Sequence, residues 1–494
     1  MFSGLSSAVT VPTGFAVEPL LVESDWPLGH AWPVCRLEAI RNPDYGVGVI
    51  AASIDNGITD NGILDVMRIS KSTVEIINSR SGFTTPSGVG DIRFDTSNLL
   101  DNDSNDLFVT VWTDTVPFET EWKYSFSTYL MRVSSDSNSI DEVGYYQGTA
   151  EDKLLFMLDF TADANDYTAG VYFADYAYDG GTSFYYIPSG DVIGSDNEDL
   201  DNLTDGVLPI DPDDSEPNRT DLDTHGMEFD RTGNYNARLT IADSEWDEDL
   251  KSAIYQLEPN LPGTDFIWST IAGPNMADSI YFHDMCYDAG NGYFGGALYV
   301  TESWSESVMI VETNGTYTEF ASGFNDIQSI TIDESGEYMY VSDEDAVYKI
   351  WMTGPTIVMQ EPKTVNDGVF TGDDGVLSLQ LLWSEPITFE AGDVTVESYE
   401  LGQEVNLPSL SGSGTEFMTI TFDQPLLYDE FTVTIADTVV SEETGSAIDG
   451  DGDGLAGGDA VIVLEHRLRE DLDNSNYIDM LDLARLAEKW LWSN

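Results

Sequence analysis

The sequence predicts an all-β protein: a six-bladed β-propeller, then a β-sandwich, then a short C-terminal calcium loop and helix. Three observations carry this expectation. Strand-like segments ending in Asp recur in phase through the first part of the chain. Beyond Gly354-Pro355 the repeat stops, and short alternating strands with polar turns take over. Near the C-terminus, carboxylates fall at the spacing of a calcium-binding loop.

The repeat runs from about Cys35 to Met352 and, with the N-terminal strand segment, sets a first domain of 1–355. Its first strands read Ile92-Arg93-Phe94-Asp95, Met227-Glu228-Phe229-Asp230, Met285-Cys286-Tyr287-Asp288 and Ile330-Thr331-Ile332-Asp333. Second strands such as Leu298-Tyr299-Val300-Thr301 and Met339-Tyr340-Val341-Ser342-Asp343 follow. Third strands such as Ala253-Ile254-Tyr255-Gln256-Leu257 and Val347-Tyr348-Lys349-Ile350 come next. Period-2 alternation broken by Gly, Asn and Asp is the signature of strands. Its return every roughly 40 to 60 residues, several strands at a time, is how propeller blades read. Six units result, those at about 35–78 and 153–193 being the least regular. An array of small sandwiches is the alternative, but the Asp-terminated strand keeps its place in the repeat.

These units resemble the six-bladed propellers of the NHL-repeat and gluconolactonase type, best in 282–311 and 325–351. In that family, lactonases hold a divalent metal through Glu and Asn/Asp residues at the channel mouth. The resemblance does not assign those ligands one by one. The positions just before the inner strands are Gly90-Asp91, His225-Gly226, His283-Asp284 and Gln328-Ser329. Asp91, His225, His283 and Asp284 are therefore the candidates for a metal or acid–base site. The plainer reading is polar residues lining a wet channel. The acidic insertions 101–106, 195–205 and 211–223 read as solvated loops.

Segment 356–468 forms a second expected domain. Leu377-Ser378-Leu379-Gln380-Leu381, Phe417-Met418-Thr419-Ile420-Thr421-Phe422 and Phe431-Thr432-Val433-Thr434-Ile435 alternate as strands with one buried face. Together with Leu382-Trp383-Ser384-Glu385-Pro386 and Asp393-Val394-Thr395-Val396 they resemble the immunoglobulin-like modules of secreted bacterial proteins. Such modules act as spacers.

Two loops point to Ca2+. In the third segment, 469–494, an EF-hand-type loop starting at Asp471 offers Asp471, Asp473, Ser475, the Tyr477 carbonyl, Asp479 and Asp482 at positions 1, 3, 5, 7, 9 and 12. Asn476 replaces the usual Gly at position 6. An amphipathic stretch with Leu483, Leu486, Ala487, Trp490 and Leu491 on one face follows. Asp in the last ligand position resembles a type I dockerin repeat. That resemblance implies either a cohesin-like receptor or, with a single good repeat, a surface anchor. The second loop offers Asp449, Asp451, Asp453, the Leu455 carbonyl and Asp459, with the last Asp one position early. It reads either as a degenerate first repeat or as a calcium-pinned hairpin inside the sandwich. The strand-like Val461-Ile462-Val463-Leu464 favours the hairpin.

Composition narrows the partners. Lys and Arg number 19 against 90 Asp and Glu, a net charge of −71. Nucleic acid is excluded, because phosphate binding needs a basic footprint. The two cysteines, Cys35 and Cys286, make no disulfide scaffold. No apolar run is long enough for a transmembrane segment. Met1 to Leu21 lacks the Lys or Arg of a secretory signal. Extracellular display thus implies a signal already removed. Sequons at Asn102, Asn202, Asn218 and Asn314 suit surface loops. No Gly-x-Ser-x-Gly, His-Glu-x-x-His, phosphate loop or dinucleotide fingerprint occurs. The expected function is a calcium-stabilised secreted or cell-surface protein. Its propeller recognises a protein or glycan partner, and its C-terminus anchors it. The alternatives are a metal-dependent lactonase-like hydrolytic propeller and a structural subunit of a cell envelope or filament.

Overall fold

The computed structural model describes residues 9–27, 36–40, 48–55, 61–70, 73–84, 87–95, 106–114, 126–134, 139–147, 153–161, 170–177, 184–188, 198–199, 224–244, 252–261, 265–272, 280–288, 294–361, 369–370, 375–399, 403–404, 408–427, 429–452, 454–466, 480–481, 483–484 and 487. The chain divides into two compact units: Met1–Pro12 with Val17–Trp351, and Thr13–Ala16 with Met352–Asn494.

The first unit is a six-bladed propeller. Blade 1 runs outward from Leu37–Ala39 through Val49–Asp55 and Asn61–Ser70 to Thr73–Thr84. The inner strands of blades 2 to 6 are Ser87–Phe94, Lys153–Thr161, Thr224–Phe229, Phe282–Tyr287 and Ser329–Ile332. Each inner strand packs on the next, and that of blade 6 on that of blade 1, so the ring closes. Blade 6 takes its outermost strand from the other end of the chain. Phe15–Val22 lies beside Ala346–Met352 and covers an edge that would otherwise be open.

The recurring Asp has a local cause. Its amide bonds the start of the second strand in each described copy: Asp95 to Asp106 O, Asp230 to Arg238 O, Asp288 to Ala297 O and Asp333 to Tyr338 O. Its carboxylate then satisfies the amides of the turn. Asp230 accepts from Thr232, Gly233, Tyr235 and Ala237 at 2.8–3.0 Å. Asp333 accepts from Glu337 and Tyr338. The motif is a turn staple, which buried amides require.

The apolar core lies between blades. Ile50, Leu64 and Val66 of blade 1 pack on Ile92, Leu107 and Val109 of blade 2. Ala242 and Ile254 of blade 4 meet Met285, Leu298 and Val300 of blade 5. Leu37 and Val49 meet Leu20, Leu21, Tyr340 and Val347 at the closure. Each such buried aliphatic stabilises by about 1.5–3 kcal/mol.

The second unit has two facing sheets. One orders Ile357–Glu361, Val376–Thr388, Thr415–Leu426 and Ser409–Ser411, with Val440–Ser441 also on Val376–Thr388. The other orders Val369–Phe370, Ala460–His466, Glu430–Ile435, Val394–Ser398 and Gln403–Glu404. Alternate residues of both, including Leu379, Leu381, Trp383, Met418, Val396 and Val433, form one core. The boundary falls at Met352 rather than after Pro355, because the Pro355 carbonyl accepts the Asp449 amide at 3.0 Å within this unit. Near the C-terminus, Met480, Leu481, Leu483, Ala484 and Ala487 are helical, and all five are exposed.

Candidate functional site

The site grows from irregularities at one end of the inner strands. Pairing to the second strand slips between Val89 and Ile92 in blade 2, Thr224 and Gly226 in blade 4, and Phe282 and Met285 in blade 5. A bulge leaves residues unpaired and re-aims them. Here it releases Gly90-Asp91, His225 and His283-Asp284.

The released carbonyls meet one arginine. Arg36, just before the inner strand of blade 1, donates from Nε to Gly90 O (3.0 Å), from Nη1 to His283 O (3.0 Å) and from Nη2 to His225 O (3.2 Å). It thereby ties four blades. The Asp residues repeat each other closely. Asp91 and Asp284 each accept the following residue's amide on Oδ1, and each donates its own amide to a second-strand threonine, Thr110 or Thr301. Asp284 Oδ2 also accepts from Ser329 Oγ at 2.6 Å and Ile330 N at 3.2 Å, which stitches blade 5 to blade 6. Blade 4 has Gly226 where these blades have Asp. A side chain there would press within 3.3 Å of the Asp284 backbone.

Two residues further along the strand lies Arg93. Its Nη1 is 3.3 Å from Glu38 and 3.7 Å from Asp91; its Nη2 is 3.4 Å from Glu228 and 3.8 Å from Asp284. All five residues are buried. Burial works to lower the Arg93 pKa, but the four carboxylates, led by Asp91 and Glu228, outweigh it and hold the guanidinium well above its ordinary value. Arg231 contacts Glu228 from the other side at 3.1 Å.

At the same end, Tyr281 stands between two imidazoles. Its ring centroid is 4.6 Å from that of His225 and 4.7 Å from that of His283, and its hydroxyl is 3.3 Å from His225 Nδ1. Burial, then Arg36 and His225, press the His283 pKa from 6.5 to about 3, so that ring is neutral at physiological pH. The rim continues outward. Ser303 N donates to the Tyr281 carbonyl at 2.8 Å, and Trp304 beside it is 62% exposed. Ser303 Oγ donates to Asp326 Oδ1, and Asn325 Nδ2 bonds Glu344 and Asp345. Glu306 and Asp326 hold positive φ of 53° and 51°, a strained state for non-glycine residues.

The four channel candidates thus gather at one end, but as two pairs. Asp91 and Asp284 face Arg93; His225 and His283 flank Tyr281. A divalent cation held by the channel carboxylates does not fit, because the Arg93 guanidinium already takes the place where they converge. Among the described residues, no three His, Cys, Asp or Glu side chains are grouped to hold a metal. Arg36, Glu38, Arg93, Glu228 and Tyr281 were not singled out from the sequence. The signal was present for two of them. Arg93 and Glu228 fill the same polar slot between the apolar residues of the Asp-terminated strand. Cys286 fills that slot in blade 5; it is a buried free thiol, raised well above its usual pKa by burial, then Glu228 and Asp284. The ligand residues Asp471, Asp473, Ser475, Tyr477, Asp479, Asp482 and Asp453 lie outside the described residues, as does Cys35.

No family profile and no curated protein matches this chain. Among solved structures it is similar to the soluble aldose sugar dehydrogenase from Escherichia coli, at 13% identity and TM-score 0.40, over 68% of this chain and 99% of that one. It is also similar to a gluconolactonase from Xanthomonas campestris, at 12% identity and TM-score 0.35, over 68% of this chain and 95% of that one. A virginiamycin B lyase from Staphylococcus aureus is similar at 10% identity and TM-score 0.39, over 68% and 99%. No helix of the described residues is long and apolar enough to cross a membrane.

Proposed function

We propose that the propeller is a recognition module whose blade 5 and 6 rim takes a hydroxyl-rich ligand such as a glycan. The observation that carries this reading is exposed Trp304, next in sequence to Ser303, whose amide bonds the Tyr281 carbonyl and whose hydroxyl bonds the Asp326 carboxylate, with the Asn325 amide on the same loop as Asp326. An apolar ring face flanked by fixed acceptors and donors suits the C–H face and hydroxyls of a sugar. Inside the channel the charged groups of the Arg93 ring are buried, whereas Trp304 is open to solvent. The proposal extends to a secreted or surface setting, supported by the acidic composition. The sandwich would then serve as an immunoglobulin-like spacer, and 469–494 as a calcium-binding anchor. The test is titration of the full chain with neutral and acidic polysaccharides by calorimetry. Trp304→Ala should weaken binding at least tenfold without moving the melting temperature. A wild-type chain that ignores every glycan removes the reading.

One observation favours a second reading, an enzyme at the same mouth. His283 is held neutral next to the Tyr281–His225 pair, so its ring can polarise a bound carbonyl through a hydrogen bond without taking up a proton itself. Turnover of sugar lactones or aldoses, abolished by His283→Gln, would establish it. Absence of turnover across both classes leaves the recognition module.

A further inference from the structure

We propose that the loop from Asp449 to Asp459 is a calcium site built into the second unit. This is independent of what the propeller binds. The loop joins Ile448, which is fully buried, to the strand Ala460–His466, an interior strand of its sheet. It is held at its base: the Asp449 amide donates to Pro355 O, Gly450 N to Gly457 O, and Gly457 N to Ile448 O. Gly450 is enclosed by backbone, with Ala460 N and Gly458 O each 2.3 Å from where a Cβ would stand.

The pointer to a ligand is Asp449 itself. The residue is 7% exposed. Its Oδ2 accepts the Gly454 amide at 3.2 Å, which aims the carboxylate into the loop. Its Oδ1 is buried, with no hydrogen-bond partner among the described residues. An acceptor buried without a donor costs about 1–3 kcal/mol, and native proteins do not leave such atoms without a reason. A cation supplies it. Asp451, two residues on along the same limb, lays its carboxylate across the loop, with Cγ 2.8 Å from the position of a Gly458 Cβ on the opposite limb. The Leu455 carbonyl follows at the seventh position. Gly454, at the sixth, has φ +95°, the left-handed turn that such loops need there. All these ligands are oxygens, carboxylate mixed with carbonyl, which selects a hard cation with flexible coordination, hence Ca2+ over Mg2+. The side chains draw together as the ion enters, so binding is coupled to local ordering. The consequence is a metal pin at the root of the last strand.

The experiment is calorimetric titration of Ca2+ into the chelator-treated full chain, for wild type, Asp449→Asn and the double variant Asp471→Asn/Asp473→Asn. The expected result is one bound ion fewer in D449N, or at least tenfold weaker binding at that step, with this step retained in the double variant. Chelation should also lower the wild-type melting temperature while leaving D449N less affected. Should D449N fail to fold, D451N, altered at an exposed position, is read in its place. A wild-type chain that binds no calcium overturns the proposal. So does a folded D449N or D451N that binds as much as wild type.

Discussion

The guanidinium of Arg93 stands 3.4 Å from the Glu228 carboxylate, although the two residues fill the same slot of the repeat in blades 2 and 4. A position that is merely one of several in the repeat thus becomes a cross-tie. Glu38, Asp91 and Asp284 complete the ring around Arg93. Removing one partner of a buried ion network strands the others. Arg93→Met should cost the propeller about 3–5 kcal/mol in denaturant unfolding. Arg93→Lys should recover only part of this, since an ammonium does not span two sides of the ring as the planar fork does. An Arg93→Met chain as stable as wild type would show that the ring is not held by this contact.

His283 gives a signed pH dependence. Its folded pKa of about 3 is below the unfolded 6.5, so folding keeps the ring neutral. Below pH 6.5 the unfolded chain takes up a proton that the folded chain refuses. Stability from this group is therefore full above pH 6.5 and is lost as pH falls towards 3. The slope is at most about 1.4 kcal/mol per pH unit. His283→Gln should flatten the stability curve between pH 6.5 and 5, measured by unfolding at each pH. An unchanged slope would place the titrating group elsewhere.

The Asp staples should rank by the amides they hold. Asp230→Ala leaves four backbone amides without their acceptor and should cost on the order of 3 kcal/mol. Asp333→Ala, which frees two, should cost less. In the same turn Ala237 is held at φ +51°, so Ala237→Gly should stabilise by about 1 kcal/mol. Equal effects of the two Asp substitutions would contradict the count of bonds.

Closure of the ring depends on Phe15–Val22. Leu20 and Leu21 are buried, and the strand covers the edge of Ala346–Met352. Deleting residues 1–22 should lower the melting temperature and promote association through the bared edge, read by light scattering. Adding a peptide of the deleted strand should reverse part of both effects.

Cys286 should be inert in the folded protein. The thiol is buried and its pKa is raised well above normal, so the reactive thiolate is scarce. Alkylation of Cys286, followed by peptide mapping, should proceed only on unfolding. Rapid modification of the native chain would contradict the packing around Glu228 and Asp284.

The repeat was legible because it is written in local rules: period-2 alternation, and an Asp wherever a turn must satisfy its own amides. Asp91, His225, His283 and Asp284 share a place in the repeat, which the structure puts at bulges inside the inner strands rather than before them. Their division into two pairs was not legible, because it depends on Arg36 and Arg93 reaching across the ring from other blades. Nor did the sequence mark Phe15–Val22 as the outer strand of blade 6, since that pairing joins residues more than 300 positions apart.

By itself, then, the sequence determined the all-β class, the six units, the sandwich-like alternation and the oxygen-rich loops, all properties of spacing over a few residues. The tertiary structure alone decided which charges meet. It made Arg93 the centre of four carboxylates, held His283 neutral, and buried Asp449 Oδ1 without a donor. The physical reason is one of range. Backbone hydrogen bonds and turns follow near neighbours in sequence, whereas desolvation and Coulomb contacts follow neighbours in space.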